Sequence, residues 1–137
     1  MLRPTVLGTA LIIVMTSFST AFAGDDVLKK GAKHFKKKCK ACHLNSPNGP
    51  DLTDIIDRKI ASVEGFSYSK ALKDKGDAGE VWTEENLTAF LTKPSAFAKG
   101  TKMGFAGFRK KEKRTKAVIE YLKTLKSAEE PAKEAAE

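Results

Sequence analysis

The chain is 137 residues long and basic, with 25 lysines and arginines against 17 aspartates and glutamates and a formal charge of +8. This length allows one domain. The charge alone is compatible with nucleic-acid binding, but the N-terminal segment predicts export from the cytoplasm, which argues against that class of function.

The first 23 residues have the pattern of a secretory signal peptide. Arg3 precedes the apolar run of residues 6–15, and Ala21-Phe22-Ala23 forms an A-x-A cleavage site before Gly24. The run is shorter than the roughly 20 apolar residues of a membrane-spanning helix, and retention as an uncleaved anchor is the alternative. We predict a cleaved signal peptide over residues 1–23, one domain over 24–126, and a flexible Ala-, Glu- and Pro-rich tail over 127–137.

Residues 25–42 are predicted to form a helix with one apolar stripe at spacings of three and four. Gly31 lies on that stripe. Because glycine weakens a helix, its presence there predicts that another backbone lies close to it. His34, on the same helix, is predicted to be solvated and not a ligand.

This helix leads into Cys39-Lys40-Ala41-Cys42-His43, which contains both cysteines of the chain. Two thiols three residues apart, followed by histidine, are the pattern of covalent c-type haem attachment. In a helical turn the two sulfurs project from one side and can bond both vinyl groups of a porphyrin, while His43 reaches the iron as an axial ligand. The same residues admit two alternatives, a thioredoxin-like thiol pair and a zinc site completed by His34.

The segment after the pentapeptide, residues 44–52, contains a dense turn signal. The Pro50 carbonyl is a candidate acceptor for the ring N–H of His43, a bond that would fix the imidazole as neutral and oriented. An ordinary turn proline is an equally good interpretation of this residue. Residues 53–63 are ambiguous between a short helix and an extended run.

Three polar side chains in the middle of the chain, Arg58, Tyr68 and Trp82, are candidate donors to a buried haem propionate. A buried carboxylate needs such donors. Each of them taken alone is more typical of a simple core or surface position.

Three further helices are predicted. A short one covers residues 69–72 and is ended by Gly76 and Gly79, a second is capped by Thr83 and stopped by Pro94, and an amphipathic one covers 111–126. Residues 94–108 form a loop that is too apolar to be solvated.

Met103 lies in that loop and is the single methionine that remains after signal cleavage. A lone methionine is often core filler. Here the glycine-flanked loop can approach a porphyrin, and the iron needs a sixth donor, so we predict Met103 as the second axial ligand.

The pattern as a whole resembles the class I cytochromes c of the mitochondrial and photosynthetic-bacterial soluble type. The matching residues cover most of residues 25–126. They are Gly31, Phe35, Cys39-Lys40-Ala41-Cys42-His43, Gly49-Pro50-Asp51-Leu52, Arg58, Gly65-Phe66-Ser67-Tyr68-Ser69-Lys70-Ala71, Trp82-Thr83, Phe90-Leu91, Pro94, Gly100-Thr101-Lys102-Met103-Gly104-Phe105-Ala106-Gly107, Arg114 and Ile119-Glu120-Tyr121-Leu122.

The resemblance implies an all-α fold of about three to five helices around one covalent haem, with the N- and C-terminal helices crossing. Gly31 and Phe35 would meet Tyr121 and Leu122 at that crossing. It also implies a set of haem contacts. They are thioether bonds from Cys39 and Cys42, axial ligation by His43 and Met103, a Pro50 bond to His43, and propionate contacts from Arg58, Tyr68 and Trp82 with assistance from Thr101.

The sequence departs from the mitochondrial members in several places. The loop between His43 and Gly49 is shorter, and residues 73–81 carry extra length. Leu72 and Phe90 replace residues that are polar there, and Lys99 replaces a proline. The polar network on the distal side of the haem is therefore expected to be thinner.

The function implied is that of a soluble, monomeric periplasmic electron carrier in a respiratory or photosynthetic chain, and not an enzyme. Its expected partners are membrane complexes, namely a cytochrome bc-type complex, a terminal oxidase or a photosynthetic reaction centre. These would dock on lysines before the pentapeptide and around residues 93–111. The alternative is a haem-based small-ligand sensor or peroxidase-like protein with a labile sixth ligand.

Overall fold

The computed structural model describes residues 21–127. Within them the chain forms six helical segments and an isolated antiparallel bridge between Lys59 and Val81, and no strand. The helices are α1 (Ala21–Lys38), α2 (Lys40–His43), α3 (Lys70–Asp77), α4 (Glu84–Thr92), α5 (Pro94–Phe97) and α6 (Glu112–Leu122).

The all-α prediction is confirmed for the described residues. The segments outnumber the three to five expected because α2 and α5 are single turns of four residues each. None of the helices in residues 21–127 has the length and apolar character needed to cross a membrane. The predicted signal peptide up to residue 20, and the predicted tail from residue 128, lie outside the described residues.

The first and last helices cross in direct backbone contact. A Cβ atom placed on Gly31 would lie 2.0 Å from the carbonyl oxygen of Ala117 and 2.8 Å from the Cβ of Tyr121. One turn along α1, the rings of Phe35 and Tyr121 have centroids 5.1 Å apart. The prediction that Gly31 marks a close backbone approach is confirmed, and α6 is the partner.

The predicted helix over residues 25–42 is interrupted at Cys39. α1 ends at Lys38, Cys39 occupies a turn, and α2 then carries the rest of the pentapeptide. The amide of Cys39 still donates to Phe35 O at 2.8 Å, and His43 N donates to Cys39 O at 3.0 Å. The break redirects the chain so that Cys39 is buried at 5% exposure while Cys42 is exposed.

The middle of the chain is held by backbone pairing between two loops, and residues 53–63 form turns instead of the short helix or extended run expected there. Trp82 N donates to Arg58 O at 2.9 Å, and Asp57 N donates to Trp82 O at 3.0 Å. This pairing places the segment before α4 against the segment that carries Arg58.

The helix predicted over residues 69–72 is longer than expected. α3 runs from Lys70 to Asp77, and Gly76 lies inside it, so the prediction that this glycine ends the helix is wrong. A Cβ atom on Gly76 would lie 2.1 Å from the carbonyl oxygen of Ile60. Gly76 therefore serves close packing of α3 on the loop that contains Ile60.

The later helices follow the sequence signals at their starts and differ at their ends. Thr83 Oγ1 accepts from Asn86 N at 3.1 Å, which confirms the predicted N-cap of α4. Pro94 does follow the end of α4, but it also opens α5, so residues 94–108 are not one loop. α6 ends at Leu122, before the predicted residue 126, because the chain turns and Leu125 O accepts from Asp54 N at 2.8 Å.

Substituting Gly31 tests the helix crossing. Gly31→Ala is expected to lower the free energy of unfolding by about 2 kcal/mol, because overpacking against the Ala117 carbonyl exceeds the helix-propensity gain of roughly 1 kcal/mol. Denaturant unfolding measures the change. Lys33→Ala, on the exposed face of the same helix, is the control and should change stability by less than about 0.5 kcal/mol. Equal stability of Gly31→Ala and the unsubstituted protein would contradict the crossing.

Candidate functional site

The pentapeptide is organised by one carbonyl group. Cys39 O accepts from both Cys42 N at 3.1 Å and His43 N at 3.0 Å, which closes α2 into a single turn. The two cysteines form no disulfide with one another. Burial raises the pKa of the Cys39 thiol to about 11, so this thiol is protonated at neutral pH.

The surroundings of the two cysteines disfavour the two alternatives to a haem site. A thiol–disulfide redox pair relies on a thiolate, which forms where the thiol pKa is lowered. The Cys39 pKa is raised instead, and α1, not a strand, precedes the pair. Within residues 21–127 no group of three His, Cys, Asp or Glu side chains is arranged to hold a metal ion.

The imidazole of His43 is oriented by the backbone that follows it. His43 Nδ1 lies 2.8 Å from Pro50 O, and since a carbonyl oxygen only accepts, this nitrogen carries the proton and donates. The hydrogen bond predicted from the sequence is present. In the neutral imidazole this bond places the proton on Nδ1, so that Nε2 is available as a ligand atom.

Gly49 is a site residue whose function the sequence analysis missed. A Cβ atom at this position would lie 2.7 Å from Cys42 O and 2.9 Å from His43 Nδ1. Only glycine lets the loop pass close enough for the next residue, Pro50, to accept from the ring. The signal available in the sequence was a glycine directly before a predicted acceptor.

The three predicted propionate donors lie on neighbouring segments. They differ in whether their N–H and O–H groups already donate to other atoms of the protein. Arg58 donates from its two terminal nitrogens to Thr53 O at 2.6 Å and Asp51 O at 2.7 Å, and so fixes the loop after Pro50. Tyr68 Oη accepts from Val63 N at 3.3 Å, which leaves its own proton free to donate. Their contact with a propionate stays a prediction.

The hydroxyl of Tyr68 is protonated at neutral pH. Burial raises its pKa, and this effect exceeds the opposing influences of the hydrogen bond from Val63 N and of the nearby Arg58 guanidinium. Trp82, the third predicted donor, is buried at 7% exposure and packs against Phe90 and Phe97. Backbone hydrogen bonds join the segment of Trp82 to the segment of Arg58, so these two predicted donors lie on paired segments.

Met103 is half-buried and lies in a loop that is attached at several points. We call residues 98–108 the Met103 loop. The Met103 amide donates to Thr101 Oγ1 at 3.3 Å, and Lys102 Nζ donates to Ser67 O at 3.1 Å. At the far end Phe108 N donates to Leu91 O at 2.8 Å. Thr101, predicted to assist at a propionate, supports the backbone of Met103 in this structure.

The donor set fits a c-type haem. It consists of two thiols on one turn, an imidazole whose second nitrogen is hydrogen-bonded, and a half-buried thioether in an anchored loop. Thiols so placed can attach the porphyrin, and histidine nitrogen and methionine sulfur are ligands that hold haem iron in electron-transfer sites.

His34 departs from its predicted solvated position. It is half-buried, and its ring meets Phe108 edge-on with centroids 6.1 Å apart. It lines a groove of about 670 Å³ whose wall carries five cationic side chains. These are Lys38, Arg109, Lys110, Lys111 and Arg114. We call this feature the basic groove.

Comparison with known proteins gives a consistent result. The family model described as Cytochrome c matches residues 28–126. Cytochrome c-550 of Ancylobacter novellus is 45% identical over 101 residues, which cover 70% of this chain and 92% of that protein. Cytochrome c2 of Afifella marina is 38% identical over 105 residues, covering 73% and 83%. The solved structure of ferricytochrome c2 from Rhodopseudomonas palustris aligns with a TM-score of 0.65 and 36% identity, covering 72% of this chain and 98% of that one.

The environment of His34 predicts a pH dependence of stability. Burial, followed by the charges of Arg114, Lys33 and Lys37, lowers the pKa of His34 in the folded state. The unfolded chain therefore binds a proton more readily, so stability is full above the unfolded value of about 6.5 and falls as the pH drops below it.

Denaturant unfolding between pH 8 and pH 5 measures this effect. The unsubstituted protein is expected to lose stability over that range, and His34→Gln is expected to lose less. The aspartates whose pKa values are lowered, Asp26, Asp51 and Asp54, titrate at more acidic pH and do not contribute in this window. Identical pH profiles for the two proteins would show that His34 is not responsible.

Proposed function

This chain belongs to the cytochrome c family and binds one haem c covalently, and on that premise we propose that it is a soluble periplasmic carrier of single electrons between membrane redox complexes. The observation that carries the proposal is the 2.8 Å contact between His43 Nδ1 and Pro50 O within the haem-attachment turn. The bond holds the imidazole in the orientation and tautomer that axial ligation requires.

The haem iron supplies the one-electron change between its ferric and ferrous states. The residues of this chain hold it and set its surroundings. Cys39 and Cys42 would attach the porphyrin, and His43 and Met103 would occupy the two axial positions. Arg58, Tyr68 and Trp82, with Thr101, would surround the propionates.

Ligation by histidine and methionine together suits a carrier better than a ligand-binding protein. With both axial positions filled by side chains, no position is left for a small molecule. The several attachments of the Met103 loop support this, because opening the sixth position requires movement of an anchored segment. Catalytic use of the haem is therefore not part of the proposal.

The surface supports docking on acidic partners. Lys38, from the lysines before the pentapeptide, and residues 109–111, from the second predicted group, line the same basic groove, whereas Lys93, Lys99 and Lys102 do not line it. A concentrated positive surface accelerates association with an oppositely charged partner. We propose a cytochrome bc-type complex, a terminal oxidase or a photosynthetic reaction centre as the partner, met by a monomeric carrier.

The periplasmic location rests on the predicted signal peptide and on the haem motif. The export signal and covalent haem attachment support one another, since c-type haems in bacteria are attached outside the cytoplasm. N-terminal sequencing of the haem-containing protein from the periplasmic fraction tests this, with Gly24 expected as the first residue.

Replacing Met103 tests the axial assignment. Met103→Leu is expected to abolish the ferric methionine–iron charge-transfer band, to lower the reduction potential, and to make the ferrous protein bind CO. Absorption spectra and redox titration give these readouts. Ala106→Leu, at an exposed position of the same loop, is the control and should keep the band. A CO-reactive unsubstituted protein would instead favour the ligand-sensor or peroxidase-like alternative.

Ionic strength tests the docking proposal. The bimolecular rate of electron transfer to a purified partner complex is expected to fall by about 10-fold or more between roughly 0.01 M and 0.5 M salt, because screening removes long-range attraction. Stopped-flow oxidation measures the rate, and reaction with a small uncharged oxidant serves as the control. A rate to the partner complex that ignores salt would rule out electrostatic steering.

A further inference from the structure

Lys75, in the last turn of α3, is less exposed than Lys70 and Lys73 of the same helix. Its Nζ lies 3.2 Å from both carboxylate oxygens of Glu80 and 4.4 Å from the centroid of the Phe97 ring. Its side chain is 27% exposed, whereas that of Lys70 on the same helix is 88% exposed. Lys75 is thus a partly desolvated cation with two defined contacts.

The backbone fixes Glu80 beside Lys75. Glu80 N donates to Lys75 O at 3.0 Å, and Glu80 O accepts from Ile60 N at 3.0 Å. Gly76 packs on the carbonyl of Ile60, which holds the same turn from the other side. The backbone of this turn therefore holds the two residues of the ion pair close together.

Phe97 connects this cation to the interior of the protein. Its ring is stacked on Trp82 at 5.7 Å with an interplanar angle of 25°, and it meets Phe90 edge-on at 5.6 Å. A cation above an aromatic face is attracted by the negative charge of the ring face. Phe97 therefore has Lys75 as well as two buried aromatic rings to define its position.

A short hydrogen-bonded path leads from Phe97 to Met103. Phe97 ends α5, and the next residue, Ala98, is 1% exposed and donates from N to Pro94 O at 2.9 Å. Thr101 N donates to Ala98 O at 3.0 Å, and Met103 N donates to Thr101 Oγ1 at 3.3 Å. Displacement of Phe97 would therefore be transmitted to the start of the Met103 loop.

We propose that Lys75 is a positioning residue for the distal ligand: held by Glu80 above Phe97, it keeps α5 in place and thereby keeps the Met103 loop closed. This inference rests on the proposed ligation of the iron by Met103. Lys75 acts through the loop and touches neither the haem nor a partner in this scheme.

The test measures how easily an external ligand displaces Met103. Imidazole is titrated into the ferric haem-containing protein, and its apparent affinity reports the fraction of molecules with an open loop. Lys75→Met removes the charge but keeps the aliphatic chain. Lys73→Met is the matched control, because it removes the same charge from an exposed position on the same helix.

We expect Lys75→Met to bind imidazole about 2- to 5-fold more tightly than Lys73→Met, a factor typical of losing one cation–aromatic contact. Lys75→Arg should restore the affinity of the unsubstituted protein. In a Phe97→Leu background, Lys75→Met should have no further effect, because the two residues act as a unit.

Equal imidazole affinities for Lys75→Met and Lys73→Met would overturn the inference, as would additivity of Lys75→Met with Phe97→Leu. The methionine–iron charge-transfer band of the unsubstituted ferric protein distinguishes a wrong role for Lys75 from a wrong assignment of Met103 as the ligand. If the band is present and the variants are equal, the role of Lys75 is wrong while the proposed function stands. If the band is absent, the ligand assignment is wrong, and the positioning role falls with it.

Discussion

The backbone contact between α1 and α6 at Gly31 is the constraint on which the rest of the structure depends. α1 runs directly into the haem-attachment turn, so the crossing angle and distance at Gly31 decide where Cys39 and His43 lie. The same crossing places Tyr121 against Phe35, one turn before Cys39. A side chain at position 31 would push the helices apart and move the attachment turn with them.

The two proposed axial ligands, His43 and Met103, are supported in different ways. On the His43 side the chain solves the problem locally, because Gly49 and Pro50 lie within seven residues of the imidazole they orient. On the Met103 side support comes from distant segments, because Ser67 and Leu91 accept hydrogen bonds from the Met103 loop and Trp82 stacks on Phe97. One ligand is thus fixed by its own loop, whereas the other depends on tertiary packing. Sensitivity to distant substitutions should be concentrated on the Met103 side.

The cationic side chains occupy two different environments. The basic groove brings α1 together with the segment after the Met103 loop and leaves its cations facing solvent, and these are the cations that we propose attract a partner at long range. Lys75 differs, since its charge is compensated by Glu80 and turned toward an aromatic ring. Lysine is therefore exposed to solvent in one place and packed against a ring in the other, and burial separates the two.

The amino-acid sequence alone determined the features that depend on local chemistry. The spacing of Cys39, Cys42 and His43, the cap at Thr83 and the acceptor at Pro50 each involve residues within a few positions of one another, so a local pattern suffices to predict them. The close backbone approach at Gly31 could also be predicted, because a glycine on an apolar helical stripe weakens its own helix while leaving room for a second backbone. The tertiary structure decided what depends on residues far apart in the chain. The place of Gly76 inside α3, the half-buried state of His34 and the pairing of Lys75 with Phe97 all arise from contacts with other segments. Local propensity carries no information about which distant backbone or ring a residue will meet.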